Sequence, residues 1–189
     1  MTEDSKKRID PEDLRLYGLA LNNRWSTRQL YHHVAPEVPI FVYGSLMLPW
    51  VVAKVLGIVE GTKGVEETTK RMTRATLRCH FRVTIKLENT PTIVKTKKEA
   101  AVDGMLLGRL DPQMASKIEE YIGPGEHRKQ LEEVEVETDS GETIIVCAYM
   151  YVWKGSTDAL IPKSWTPMDY MRSRAGLPEE QAVETAALG

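Results

Sequence analysis

Apolar and polar positions along the chain alternate in patterns that predict where its elements begin and end. Asp10 before Pro11-Glu12-Asp13 has the form of a helix start, with a cap oxygen, an early proline and acids where the helix dipole favours them. Leu14, Leu16, Leu19 and Leu21 supply apolar contacts up to Asn22-Asn23, and a second short helix is predicted from Ser26-Thr27 to about Tyr31. Pro36 and Pro39 precede Ile40-Phe41-Val42-Tyr43, which reads as a buried strand. Gly44-Ser45 breaks that strand, and Pro49 opens a helix that runs to Leu56 before Gly57.

From about Arg74 the period changes to two. Leu77, Cys79, Phe81 and Val83 are predicted to share one strand face, with Arg78, His80 and Arg82 on the other. That basic face reads as solvated, or as meeting an anionic substrate in a barrel mouth. Pro91 to Lys95 and Ala101 to Leu110 give two further strands, and Asp111-Pro112 opens a helix ended by Gly123-Pro124-Gly125. Leu131 to Glu137 alternates, Asp139-Ser140-Gly141 turns the chain, and Thr143 to Trp153 is the last long strand. Thr166, Pro167 and Asp169 start one more helix, and residues 179–189 read as a loose helix or a disordered tail. About six strands and few helices make an α+β fold, a mixed, mainly antiparallel sheet closing into a small β-barrel with flanking helices. The expected divisions are a helical extension over 1–38, the barrel domain over 39–155 and a helical tail over 156–189.

Composition narrows the function classes. The 189 residues carry 25 Lys+Arg against 27 Asp+Glu, a formal charge of −2, which withholds the general attraction a nucleic-acid binder uses. No apolar run reaches the roughly 20 residues of a membrane span, and the first residues lack a signal peptide's apolar stretch, so a cytoplasmic location is expected. Cys79 and Cys147 are expected to be buried small side chains, and neither they nor the adjacent His32 and His33 compose a metal site. Tyr149, Tyr151 and Trp153 share a strand face that either packs in the core or lines a cavity. Glu132, Glu133, Glu135 and Glu137 read as a solvated edge.

The chemistry concentrates at Val42-Tyr43-Gly44-Ser45-Leu46. A glycine turn leading into a helix exposes unpaired amides to an anion, and the Ser45 hydroxyl adds a donor. That turn, the helix closing on Val55-Leu56-Gly57, and Pro91-Thr92-Ile93-Val94, Val102-Asp103-Gly104-Met105-Leu106, Met114 to Tyr121 and Thr143 to Trp153 in order resemble the gamma-glutamylcyclotransferase-like family over residues 39–154. The resemblance implies that the turn holds the carboxylate end of a gamma-glutamyl group. A glutamate then acts as base while the substrate's amine closes on its own amide carbonyl to give 5-oxoproline. No metal or cofactor is implied. The family's glutamate slot falls on Ile122 here, before Gly123, and the segment to Arg128 lacks the tyrosine often found there.

Three readings stay open. Glu120 or Glu126 supplies the carboxylate, the pocket serves another acid–base reaction on a small metabolite, or the protein binds without turnover. The expected substrate-binding residues are Tyr43, Gly44, Ser45, Leu46, Ile122 and Tyr149, and the expected partner is a small-molecule substrate rather than nucleic acid or membrane. A homodimer is left open.

Overall fold

The structure, a computed structural model, describes residues 8–58, 61–88, 90–123, 125 and 127–174. Helix α1 (Pro11–Asn22) starts where Asp10 accepts a hydrogen bond from the Glu12 amide at 2.7 Å. Past its end, the Asn23 amide group bonds the carbonyls of Thr69 and Met72, and Trp25 Nε1 bonds the Lys70 carbonyl at 3.0 Å. Helix α2 (Thr27–His33) carries a capping box between Ser26 and Gln29. Strand β1 (Ile40–Val42) follows, then a single 3-10 turn (Ser45–Met47) and helix α3 (Pro49–Leu56), which stops at Gly57 in the left-handed conformation.

Helix α4 (Gly61–Thr69) has no counterpart in the sequence pattern. Its Gly and Thr residues are poor helix formers. Thr68 and Thr69 turn their hydroxyls onto the carbonyls of Gly64 and Glu66, while Glu66 pairs with Arg15 of α1. Packing on α1 and α3 therefore overrides propensity.

Strands β2 (Met72–Arg78), β3 (His80–Ile85), β4 (Pro91–Lys95), β5 (Ala101–Leu107), β6 (His127–Glu137), β7 (Thr143–Trp153) and β8 (Leu160–Ile161) complete two sheets. The first is a closed barrel in the order β1-β5-β2-β6-β7, sealed by a parallel contact of Ile40 with Tyr149. The second is a three-stranded sheet in the order β4-β3-β8. Helix α5 (Pro112–Ile122) lies between β5 and β6, and α6 (Pro167–Arg174) follows β8. The α+β barrel expected from the sequence is thus observed.

Two expectations are corrected. The single strand through Leu77 and Val83 is broken at Cys79, whose φ of 56° turns the chain out of the barrel and into the second sheet. The bend is held by Cys79 N on the Ala100 carbonyl and Thr96 N on the Cys79 carbonyl, both 2.8 Å. The alternation cannot pass through such a residue, so His80 is buried and Phe81 exposed. Cys79 and Cys147 are also exposed free thiols rather than buried ones, one on the bend and one on the outer face of β7.

The barrel separates two apolar clusters. Leu77, Val134, Val136, Ala148, Met150 and Val152 fill the inside together with Trp25 and Leu30. Outside, Ile40, Val42, Met105 and Leu107 meet Val51, Val52 and Leu56 of α3 and Ile118 of α5. Gly104 on β5 allows this closeness, since a Cβ there would lie 2.5 Å from both Phe41 Cζ and the Val42 carbonyl oxygen. The helices on the outer cluster bring the end of α5 to the turn after β1.

Candidate functional site

The turn begins where β1 runs out. Met47 N bonds the Gly44 carbonyl at 2.9 Å and Leu48 N the Ser45 carbonyl at 3.0 Å. The amides of Gly44, Ser45 and Leu46 therefore precede the first closing bonds, the position where a helical turn leaves its N–H groups to other acceptors. Gly44 also lets Pro91 approach, because a Cβ would stand 3.2 Å from its Cγ.

A cavity of about 370 Å³ opens against this turn, within the range of small-molecule sites. Tyr43, Gly44, Ser45 and Leu46 form one part of its lining, Tyr121 and Ile122 at the end of α5 another. Phe41, Val42, Thr90, Pro91, Tyr151, His127 and the exposed Glu88 complete it. The structure thus brings together five of the sequence-derived site residues, Tyr43, Gly44, Ser45, Leu46 and Ile122.

Hydroxyl groups tie the lining together. Ser45 Oγ and Tyr121 Oη are 3.0 Å apart, linking the turn to α5. Tyr43 donates its hydroxyl hydrogen to the Tyr151 carbonyl. Burial pushes the phenols of Tyr43, Tyr121 and Tyr151 above their ordinary value, with the neighbouring Glu119 charge a further cause at Tyr151. All three stay neutral donors near neutral pH. The Tyr151 hydroxyl is buried and, among the described residues, has no partner within hydrogen-bond distance. It lies close enough to Glu119 for that carboxylate to push the phenol up, and Glu119 itself pairs with Lys129 at 2.9 Å.

The other sequence-derived candidates lie elsewhere. Glu120 is exposed on α5 and is not part of the cavity lining, because its helical position turns it away from Ile122. Glu126 lies outside the described residues. Tyr149 is half-buried on the outer face of β7 with Lys129 Nζ 4.8 Å from its ring centre, and it does not line the cavity. Of the basic face proposed for one strand, Arg78 pairs with Glu135 at the surface, and His80 is buried with Nδ1 2.8 Å from the Arg78 carbonyl. Arg82 reaches the carbonyls of Asp103 and Trp165 and sits over the Trp165 ring. None of the three lines the cavity.

Glu88, Thr90, Tyr121 and His127 also line the cavity, although the sequence analysis names none of them as a site residue. The signal for His127 is its place as first residue of an alternating strand after Gly-Pro-Gly, where a side chain faces the mouth of the barrel. Among the described residues no group of three His, Cys, Asp or Glu side chains is placed to hold a metal ion, and no helix is long and apolar enough to cross a membrane.

The sequence profile of the family described as "Gamma-glutamyl cyclotransferase, AIG2-like" matches residues 40–168. No curated protein matches the chain. Among solved structures, a protein from Arabidopsis thaliana studied in solution has a TM-score of 0.50 at 20% identity, covering 78% of this chain and 86% of its own, and shows the same fold. A second solution structure from Arabidopsis thaliana has a TM-score of 0.49 at 23% identity, covering 78% of each chain. A structure titled gamma-glutamyl cyclotransferase has a TM-score of 0.46 at 16% identity, covering 80% of this chain and 87% of its own.

Proposed function

Because the chain belongs to the gamma-glutamyl cyclotransferase, AIG2-like family, we propose that it is a cyclotransferase-type enzyme closing a small gamma-glutamyl amide into a lactam. One observation carries the reading: the cavity of about 370 Å³ is built against the Tyr43 to Leu46 turn, whose leading amides suit a carboxylate. In this reading the substrate's carboxylate end meets the amides of Gly44, Ser45 and Leu46. Its chain lies along Ile122, and its amine folds back onto its amide carbonyl. The ring closure is already intramolecular, so the protein contributes by holding the chain folded with its amine and amide carbonyl within reach of each other. The Ser45–Tyr121 hydroxyl pair has one hydrogen left to donate to the oxygen that gains charge as the ring closes. The protein's residues perform this with no metal or cofactor assigned, and its substrate is a small molecule in the cell interior.

Ile122 favours a second reading, since it places a hydrocarbon in the cavity wall at the family's glutamate position. On that reading the same cavity binds a small carboxylate without turnover.

The two separate in one assay: incubate the full chain with gamma-glutamylalanine and measure 5-oxoproline. The enzyme reading expects product whose release falls with Gly44→Val. It also expects Glu120→Gln to retain activity, and Glu126→Gln examines the carboxylate that follows Gly125. Saturable binding of gamma-glutamylalanine with no product identifies the binding reading instead.

A further inference from the structure

The substrate of this ring closure brings an amine that is positively charged before it attacks, and Ile122 offers that charge only a hydrocarbon. Among the described residues that line the cavity, a single one carries a carboxylate, and it comes from a different element. Glu88 lies in the hairpin that joins β3 to β4, exposed, with no hydrogen bond or ion pair to its carboxylate among the described residues.

That hairpin is anchored on both sides. Ile85 N bonds the Thr90 carbonyl at 2.8 Å and closes its base, while Lys86 N bonds the Ala159 carbonyl at 2.8 Å. Lys86 Nζ reaches the Asp158 carbonyl at 3.2 Å, and the Thr90 hydroxyl donates to the Glu88 carbonyl at 3.3 Å. The next residue, Pro91, sets its ring against Gly44, an approach that the missing Cβ allows. The segment carrying Glu88 is therefore seated at the turn after β1. In a gamma-glutamyl group the alpha-carboxylate and the amine share one carbon. With the carboxylate on the amides of Gly44, Ser45 and Leu46, the amine lies beside the same turn. Glu119 and Glu120 of α5 do not line the cavity, and Glu119 is already paired with Lys129 at 2.9 Å.

Resting on the ring-closing function proposed above, we infer that Glu88 is the catalytic base of this cavity, a carboxylate delivered by the β3–β4 hairpin that pairs with the substrate's amine and takes its proton. The ammonium gives one proton to Glu88, and its nitrogen forms a bond to the gamma-carbonyl carbon. Collapse breaks the bond from that carbon to the departing nitrogen. The surplus proton on the ring nitrogen and the one on Glu88 pass to that departing nitrogen, which leaves as an ammonium and restores the carboxylate.

The test measures 5-oxoproline released from gamma-glutamylalanine by the full chain, comparing Glu88→Gln, Glu88→Gln combined with Ile122→Glu, and Glu126→Gln. The inference expects Glu88→Gln, a change on an exposed side chain, to lower kcat on the order of 100-fold. Adding Ile122→Glu returns a carboxylate to the wall and should recover about tenfold or more of that loss. Unaltered kcat in Glu88→Gln, whether or not Glu126→Gln is impaired, overturns the inference, as does a loss that Ile122→Glu leaves unrecovered. No turnover by the native chain defeats the ring-closing reading instead, and Glu88 is then judged by calorimetric titration with gamma-glutamylalanine and its N-acetyl derivative. Affinity that falls about tenfold in Glu88→Gln for the free amine, and not for the acetylated one, supports its place opposite the amine. Equal affinities in the two proteins, or no binding, overturn it.

Discussion

Ser45 Oγ and Tyr121 Oη, 76 residues apart in the chain, meet at 3.0 Å and join the turn after β1 to the last turn of α5. One hydroxyl pair therefore fixes the distance between two parts of the cavity lining. Tyr121→Phe removes the link while keeping the ring, and is expected to cost about 1 kcal/mol of stability or less. Its effect on affinity for gamma-glutamylalanine should be larger in proportion, a loss of roughly three- to tenfold by calorimetric titration. Ser45→Ala in the Tyr121→Phe background should add less than it does alone, because the two groups act as a pair.

Gly104 sets the spacing of β1 and β5 beneath that turn. A methyl group there would overlap the Phe41 ring and the Val42 carbonyl oxygen at 2.5 Å. Gly104→Ala is expected to destabilise the fold by roughly 1–3 kcal/mol, read as a lower denaturant midpoint. Gly44→Ala meets only the Pro91 ring at 3.2 Å, so it should cost less stability and act mainly on substrate KM.

His33 gives the fold a pH dependence remote from the cavity. Its ring stacks on Trp25 at 3.9 Å, and its buried Nδ1 has no hydrogen-bond partner among the described residues. Burial first, then the charges of Arg109 and Arg71, lower its pKa from 6.5 to about 4. The unfolded chain therefore takes up the proton first. The stability held by the neutral ring is complete above about 6.5, drains away as pH falls, and is gone below about 4. Across that window the loss should be on the order of 1–3 kcal/mol. His33→Phe, which preserves the stack, should flatten that part of the stability curve in urea titrations.

Ile122→Glu places a carboxylate in the cavity wall. On the ring-closing reading, the variant should release 5-oxoproline from gamma-glutamylalanine faster than the native chain, with an acidic limb near about 4–5 in its pH–rate profile. An unchanged profile would mean that position 122 does not face the reacting atoms.

The turn and its neighbours were legible because their signals are local. Asp10, Ser26, Asp111 and Thr166 announce helices through short-range capping, and Gly44-Ser45 marks a break that any reading of the strand must respect. The barrel was legible from alternation in β6 and β7. What failed was non-local. Cys79 adopts a positive φ because the segment from Thr96 to Ala100 binds its backbone, and nothing around residue 79 encodes that partner. Helix α4 exists through packing on α1 and α3 rather than propensity. Glu120 is a separate case: the helical period alone already turns it away from Ile122, and the structure leaves it in solvent. Tyr151 lines the cavity while Tyr149, on the same strand face, does not, a difference no strand periodicity records.

The most direct measurement is an amide-resolved NMR titration of the full chain with gamma-glutamylalanine. The account expects the backbone amides of Gly44, Ser45 and Leu46 to shift together, saturably, with Ile122 moving at the same concentrations. Binding that shifts other regions and leaves those three amides unmoved would contradict it.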